Sequence, residues 1–538
     1  MAAKLVKQKK PKENVGKQIS GSFLEYMCAL WAIVLSVALP LYMKDGYYQI
    51  GTAKYNAYAH IVVFGMPVIL LLAVIYIVFS VKEAGISLQG TKQVYKHMSV
   101  TDRFVVGYIL ITLVSFFSCG HMKEAFWGYN GWFMGLFSQL TFVLIYFVFS
   151  RFLKDYPVVL SFLCVTAMYV FVVAILHRML IDTVGTYDNL SDYYKTQFLS
   201  TLGQASWYSS FMTTVLPIGM FAYWYFKHYA LRVITGIFVF TGFMTLVSQN
   251  TDSAYFGFLA AMLVLMHVSV KNAGRMRRLF ELALLFFLAP KGMAGLLKLH
   301  PNTVMEWDAI SAMLMQDGRT WIMVMVCAVM ILVFAILERK GKYPVRAMRI
   351  VRNVFYVVVL CLVVLWVVIL VAGVKGVLPE RMAALTTAVP YLQWNIYWGN
   401  GRGFTWEFTA KMLSEMSLKD KIIGVGPDCY AIYGHGHYNE LIRSKWGDSV
   451  LSNAHNEWMN MAVNGGWIGA AAYLGIFVSA LVRFVKKSES RPVLLGFAAC
   501  IAAYMAHNVF CYQQVLCTPF VFLFIALGEY QIRKKEEG

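Results

Sequence analysis

The residues best suited to chemistry lie in one long polar stretch in the last third of the chain. His455 closely follows Ser452, a favourable N-cap, so the sequence predicts that His455 lies in the first turn of a helix. The positive end of a helix dipole disfavours imidazolium, so a histidine there stays neutral and can accept a proton. A solvated histidine at a helix start is the simpler alternative, and the surrounding pattern must decide between the two.

The segments that must position this histidine are mostly apolar. Of the 538 residues 59% are hydrophobic and 14% charged, and the mean hydropathy is +0.60. The apolar residues come in repeated blocks of about 20, the length that crosses a bilayer as a helix. The fold class is therefore an all-α polytopic membrane protein. The net charge of +19 does not indicate nucleic acid, because the basic residues sit in short loops, where anionic lipid headgroups are the partner.

The hydropathy pattern predicts about 14 transmembrane helices. They are expected at roughly 22–43, 59–81, 103–119, 131–150, 157–177, 207–226, 231–249, 253–270, 279–298, 319–337, 353–374, 457–484, 491–510 and 515–532. Alternate loops carry the Lys and Arg clusters, which places both termini in the cytoplasm by the positive-inside rule. The basic N-terminus runs into a full-length span, with no small-residue cleavage site expected of a signal peptide.

This topology divides the chain into five parts. They are a basic cytoplasmic tail (1–20), about 11 N-terminal helices (21–374), a large extracytoplasmic loop (375–454), about three C-terminal helices (455–533) and a cytoplasmic tail (534–538). The large loop is expected to carry the function, because long loops with their own apolar pattern usually do.

Two features of the large loop have a definite local structure. Trp406, Ala410, Leu413 and Met416 recur at helical spacing and predict a short amphipathic helix on the membrane surface. The run Gly424-Val425-Gly426-Pro427 then predicts a tight turn. After His455 the next helix is expected to continue unbroken through its glycines to about residue 484.

Taken together, three motifs in this region resemble the O-antigen ligase and polysaccharide polymerase family. His455-Asn456 is followed, after nine residues, by Gly466-Trp467-Ile468-Gly469 and two alanines, which is the spacing of that family. The upstream motifs, Gly401-Arg402 through Trp406 and the Gly424–Pro427 turn, are also similar to it. The resemblance covers roughly the C-terminal two thirds of the chain and includes the start of the span at Gln204.

The resemblance implies a lipid-linked glycosyltransferase (GT-C-like) architecture in the bacterial cytoplasmic membrane, with the active site on its outer face. The donor would be a glycan on undecaprenyl diphosphate, and the acceptor a saccharide. His455 would be the catalytic base and Arg402 would hold the diphosphate, a task that a guanidinium performs bidentately without a metal. No cofactor is expected. Asn456, Trp406, Gly424 and Gly426 are the expected substrate-binding residues of the motifs.

The chain departs from the family at one place. Where relatives often carry a second arginine, it reads Gln249-Asn250-Thr251-Asp252-Ser253-Ala254. Arg319 and Arg443 are the local candidates for substrate binding in its stead. Four carboxylates in or next to the large loop remain alternatives to His455 as the base: Asp428, Glu440, Asp448 and Glu457.

Metal chemistry has little support in the sequence. His435 and His437 are the nearest approach to a metal motif and are expected to decorate a loop, and the nine cysteines form no CxxC pair.

Other functions remain open at this point. The motif does not separate a ligase from a polymerase, which differ in acceptor. A transporter or lipid-glycan flippase also needs many spans, but it predicts charges or broken helices near the middle of the membrane. A third alternative is a scaffold or assembly subunit, in which the spacing between His455 and the Gly466–Gly469 motif would be a coincidence.

Overall fold

The computed structural model describes residues 15–84, 98–129, 131, 133–187, 190–300 and 307–536, and these are almost entirely helical. The helices are α1 (Val15–Leu41), α2 (Ile50–Ala84), α3 (Val100–Ser118), α4 (Met122–Trp127), α5 (Leu136–Phe152), α6 (Tyr156–Arg178), α7 (Asp192–Gln197), α8 (Ala205–Tyr225), α9 (Tyr229–Ser248), α10 (Ser253–Ser269), α11 (Ala273–Leu299), α12 (Ala309–Gln316), α13 (Arg319–Lys340), α14 (Val345–Val374), α15 (Glu380–Ala388), α16 (Trp398–Glu415), α17 (Leu418–Ile423), α18 (Tyr430–Trp446), α19 (Glu457–Lys487), α20 (Val493–His507) and α21 (Thr518–Glu536). Strands β1 (Phe198–Leu199) and β2 (Gly203–Gln204) form a short antiparallel pair before α8. Most of the predicted N-terminal tail and the last two residues lie outside the described residues.

All-α architecture with many membrane-spanning helices is confirmed. Within the described ranges, nine helices are long and apolar enough to cross a membrane: α1, α2, α3, α6, α9, α11, α13, α14 and α19. Three shorter apolar helices, α5, α10 and α20, coincide with further predicted spans. The two remaining predicted spans, 207–226 and 515–532, coincide with α8 and α21, which are long enough but are not among the helices apolar enough to cross a membrane. The count of 14 crossings remains a prediction.

Helix α8 is less apolar because it lies inside the bundle rather than against lipid. Most of its residues are buried, including Ser209, Ser210, Thr213 and Thr214. The hydroxyls of Thr213 and Thr214 each donate to the carbonyl four residues earlier, at 2.5 and 2.7 Å. These bonds satisfy the hydroxyls within the helix, so polar residues can be buried in an apolar core.

The two ends of the helical bundle differ in chemistry. At one end, where α3 begins and α5 and α21 end, buried Asp102 accepts from Arg151 at 3.2 Å and from Arg533 at 2.5 Å. Arg483, near the end of α19, pairs there with buried Glu529. Helix α19 begins at the other end, where the N–H of Glu457 donates to the carbonyl of Asn508, just after α20, at 2.9 Å. The polar loop before α19 therefore lies at that end. This segregation agrees with the alternation of loop charge in the sequence.

The large loop has a hydrophobic core of its own. Helices α16 and α18 pack together there and bury Phe404, Phe408, Met412, Tyr430 and Ile442. The predicted amphipathic helix is thus present as α16, but its buried face is not the predicted one. Of the four predicted residues only Met416 is buried, because α16 packs against the rest of the loop through Phe404, Phe408 and Met412.

The predicted glycine turn packs against a break in α19, which the sequence did not predict. Gly424 and Gly426 have φ values of +80° and +117°. The N–H groups of Val425 and Gly426 donate to the carbonyls of Val463 and Asn464, both at 3.1 Å. Helix α19 departs from helical geometry at Gly466, where φ is +66°. The expectation of an unbroken helix was therefore wrong, because the turn occupies the space that a regular helix would need.

Candidate functional site

His455 lies just outside α19 and not in its first turn. The N-cap is Asn456, whose Oδ1 accepts from the N–H groups of Trp458 and Met459, both at 3.1 Å. The predicted cap at Ser452 is therefore wrong. His455 itself has a φ of +47°, a left-handed conformation that is uncommon outside glycine. Such strained residues cluster at functional sites, where the surrounding structure holds them in place.

The imidazole ring of His455 is positioned by packing, and its nitrogens are not used in hydrogen bonds among the described residues. The ring stands edge to face on Tyr512, with centroids 5.1 Å apart. No hydrogen bond among the described residues uses Nδ1 or Nε2, and the residue lines a cavity. Burial, followed by the positive charge of Arg402, lowers the pKa of His455 to about 3. The ring is thus neutral at physiological pH, as predicted, although burial rather than a helix dipole is the main cause.

Arg402 is positioned by a left-handed turn at the start of α16. Gly399, Asn400 and Gly401 all have positive φ, and the chain becomes regular helix after them. The Nε of Arg402 donates to the carbonyl of Phe510 at 3.0 Å, and Nη1 donates to that of Gly399 at 2.5 Å. No salt bridge within the described residues includes Arg402, and burial lowers its pKa. A buried guanidinium without a paired carboxylate is suited to binding an anion.

His455 and Arg402 line the same cavity of about 630 Å³, a volume typical of ligand sites. Its walls come from the loop before α8, the α9–α10 connection and the start of α10, α14, the large loop and the connection after α20. Amide side chains and aromatic rings both line it, namely Gln197, Gln204, Asn250, Gln393, Asn395, Asn400, Phe256, Trp366, Tyr391, Tyr397, Trp398 and Phe510. The structure thus brings together the two residues that the sequence singled out as catalytic.

The other predicted substrate-binding residues do not line this cavity. Trp406 packs behind it, with its ring 5.5 Å from Trp398 and 5.8 Å from Phe510. Asn456 caps α19, while Gly424 and Gly426 form the turn against that helix. Trp406 and Asn456 therefore adjoin residues of the cavity, whereas the two glycines hold the large loop against α19.

The two arginines proposed as replacements also lie elsewhere. The side chain of Arg319 is 81% exposed and binds Asp317, with Nε to Oδ2 at 2.6 Å. Arg443 donates to exposed Asp448 at 2.7 Å. Neither lines the cavity.

None of the four alternative bases lines the cavity either. Glu457 is buried, and its carboxylate accepts hydrogen bonds from Tyr473, Tyr504 and Asn508. Asp428 accepts from the N–H groups of two residues before α5, Tyr129 and Met134, and lines a separate, water-sized cavity. Glu440 and Asp448 are exposed. The first two carboxylates thus have structural partners, and the other two lie at the surface.

Sequence reasoning missed Asp252 as a residue of the site, although it noted the missing arginine at this place. Asp252 is the N-cap of α10 but makes no capping hydrogen bond. It lines the cavity, and its Oδ2 accepts from the hydroxyl of Tyr391. Burial and the neighbouring Asp308 raise the pKa of Asp252 to about 7. The signal in the sequence was an acidic residue at the place where proteins of the resembled family often carry an arginine.

In the part of the chain that the structure describes, no group of three His, Cys, Asp or Glu side chains could hold a metal ion. The ring nitrogens of His435 lie within hydrogen-bonding distance of Asn439 and Leu451, so this side chain has a structural role. In comparisons with known proteins, no protein-family model matches the chain, and no curated protein matches it.

Proposed function

We propose that this protein is a glycosyltransferase of the cell envelope. It transfers a glycan from an undecaprenyl diphosphate carrier to a saccharide acceptor on the outer face of the bacterial cytoplasmic membrane, as a ligase or polymerase of the O-antigen type. The observation that carries the proposal is that His455 and Arg402 line one cavity, and that no hydrogen bond among the described residues uses the ring nitrogens of His455. The resemblance of the motifs supplies the substrate class.

The two residues have complementary roles in the proposed reaction. The acceptor oxygen forms a bond to the anomeric carbon of the donor while the bond from that carbon to the diphosphate breaks, with inversion. The electron pair leaves with the diphosphate, whose charge Arg402 balances through its remaining N–H groups. The hydroxyl proton passes to a ring nitrogen of His455.

Donor binding would also prepare the base. The positive charge of Arg402 helps to lower the pKa of His455. A diphosphate placed beside Arg402 offsets that charge, so the pKa of the imidazole rises when the donor is present. The proposed order of events is therefore that the donor binds first and the acceptor is activated second.

The transporter alternative predicts broken helices, and α19 is broken at Gly466. In known transporters, such a break exposes backbone groups to an ion or substrate. Here the carbonyls of Val463 and Asn464 bind the N–H groups of Val425 and Gly426 instead. The break therefore has a packing explanation, and the enzyme remains the favoured function.

The decisive experiment measures transfer directly. Membranes containing the wild-type chain, His455→Ala or Arg402→Ala are supplied with the lipid-linked glycans of the producing cells, and the loss of carrier-bound glycan is followed by chromatography. The proposal expects conversion only with the wild-type chain. His437→Ala and Arg443→Ala are matched controls, because both residues are exposed in the same loop. Equal conversion by all five proteins would reject the function.

A further inference from the structure

Tyr391 organises one wall of the cavity through both its backbone and its side chain. Its carbonyl oxygen accepts from the indole nitrogens of Trp366 at 3.1 Å and of Trp398 at 3.3 Å. Its hydroxyl donates to Asp252. One residue thus fixes two indole rings, 6.0 Å apart between centroids, and one carboxyl group. All four residues line the cavity that holds Arg402 and His455.

The geometry of Asp252 is otherwise unfavourable. An aspartate at an N-cap normally accepts from the first turn of its helix, and losing that contact destabilises the helix. Asp308, the N-cap of α12, makes such a contact with Ser311 at 2.8 Å, whereas Asp252 makes none. Its Oδ1 is buried without a donor among the described residues. The side chain of Asp252 thus bonds to Tyr391, at the cavity, and does not cap its own helix.

The combination of groups on this wall indicates the class of ligand. Sugar rings present C–H faces that pack on aromatic rings and hydroxyls that donate to carboxylates. We propose that Asp252, Trp366 and Trp398 form a saccharide subsite, in which a sugar ring of the glycan packs against the partly exposed indole of Trp366, supported by the buried indole of Trp398, and donates a hydroxyl hydrogen bond to Asp252. The subsite rests on the proposed function, which supplies the identity of the glycan. In this arrangement the sugar ring binds at this wall and the diphosphate binds at Arg402.

The ionisation of Asp252 supplies a signature for the subsite. The charged or titratable groups that influence it are Asp308 on α12, Tyr391, Arg402 on α16 and Tyr255 on α10. Its pKa, near 7, is raised by burial and by Asp308, and is lowered by the hydrogen bond from Tyr391 and by Arg402. A carboxylate accepts more strongly than a neutral carboxyl group. Glycan affinity should therefore increase as the pH rises through about 7.

The test uses the full-length protein in detergent and a carrier-free probe. The probe is the oligosaccharide fraction that mild acid releases from the membrane lipids and surface polysaccharide of the producing cells, and binding is measured by titration calorimetry. We expect the wild-type chain to bind, and Asp252→Asn and Trp366→Ala to weaken binding by about tenfold or more. Asp448→Asn and Trp321→Ala, at exposed positions outside the cavity, should bind as the wild type does.

Two conservative variants separate a contact with the sugar from a structural role. Tyr391→Phe keeps the carbonyl that holds both indoles but removes the hydroxyl, so the pH midpoint of binding should move upward. Asp308→Asn still caps α12 but removes a negative charge, so the midpoint should move downward. Asp252→Asn should abolish the pH dependence. Midpoints that stay in place would overturn the assignment of Asp252.

Failure of the subsite can be distinguished from failure of the proposed function. If the probe does not bind the wild-type chain, or binds Asp252→Asn and Trp366→Ala equally well, the subsite is wrong, whatever the transfer assay gives. If transfer survives in His455→Ala and Arg402→Ala, the proposed function is wrong.

Discussion

A β-carbon on Gly466 would lie 2.6 Å from the backbone nitrogen of Gly424. The two glycines belong to motifs that are about 40 residues apart, one in the large loop and one in α19, yet their backbones are in contact. A glycine is required at position 466 both because its φ is +66° and because a side chain would also meet the carbonyl of Ile422 at 2.3 Å. This contact joins the large loop to the helix that follows His455.

The first prediction concerns this contact. Gly466→Ala should greatly reduce the amount of folded protein, because backbone atoms on both sides have no room to move. The measurement is the monodisperse yield in detergent and the temperature of unfolding. Gly436→Ala is the control, because a β-carbon at Gly436 would meet nothing within 4 Å. Normal yield of Gly466→Ala would show that the loop and α19 do not pack in this way.

The second prediction separates a catalytic from a structural His455. His455→Gln keeps a polar side chain but cannot take a proton, so transfer should fall roughly a hundred to ten-thousand-fold while folding is retained. His437→Gln, whose ring lies beside the carbonyl of Tyr433 at 3.0 Å, should be fully active. The assay is the transfer reaction with equal amounts of folded protein. Substantial activity in His455→Gln would mean that the histidine only shapes the loop.

The third prediction concerns the guanidinium of Arg402. Arg402→Lys keeps a positive charge but loses the fork that donates to two carbonyls and an anion together, so we expect about ten to a hundred-fold slower transfer. Arg402→Ala should be at least as slow. The loss should be measured at saturating donor as well as at low donor concentration, with Arg443→Ala as the exposed control. Equal transfer rates with Lys and Arg at position 402 would show that only the positive charge is needed and would contradict the bidentate role of the guanidinium.

The fourth prediction tests Glu457 as an alternative base. Its buried carboxylate accepts from Tyr473 at 2.5 Å and from Tyr504 at 2.9 Å, and it also accepts from Asn508. Glu457→Gln places amide hydrogens among those donors, so we expect a loss of about 1–3 kcal/mol in the free energy of unfolding. Transfer per folded molecule should persist. Glu440→Gln, at an exposed position, should change neither quantity. A stable but inactive Glu457→Gln would move the base to this carboxylate.

The fifth prediction concerns the side of the membrane on which the large loop lies. The alternation of loop charge predicts that Ser449 is outside and Ser490 inside, and both are exposed. On intact cells a membrane-impermeant maleimide should label Ser449→Cys but not Ser490→Cys, relative to the chain with its native cysteines only. After permeabilisation both should react. The reverse pattern would place the cavity in the cytoplasm and exclude an extracytoplasmic transfer.

The sequence by itself determined the membrane class and the positions of the long apolar helices, and it singled out His455 and Arg402 as candidates. Hydropathy and loop charge are properties of local composition, so they can be read without knowing which helices touch. The two catalytic candidates came from the resemblance of three motifs to a known family. Their presence in one cavity agrees with that interpretation.

Only the tertiary structure decided which other residues face the cavity. Asp252, Trp366 and Tyr391 come from α10, α14 and the segment before α16, and no local pattern relates them. Arg319 and Arg443 are arginines in polar segments, as the sequence required, but each pairs with a neighbouring aspartate at the surface. The break at Gly466 and the left-handed φ of His455 likewise depend on what packs against them. Such contacts are set by the folding of distant segments onto one another, which hydropathy and motif spacing do not encode.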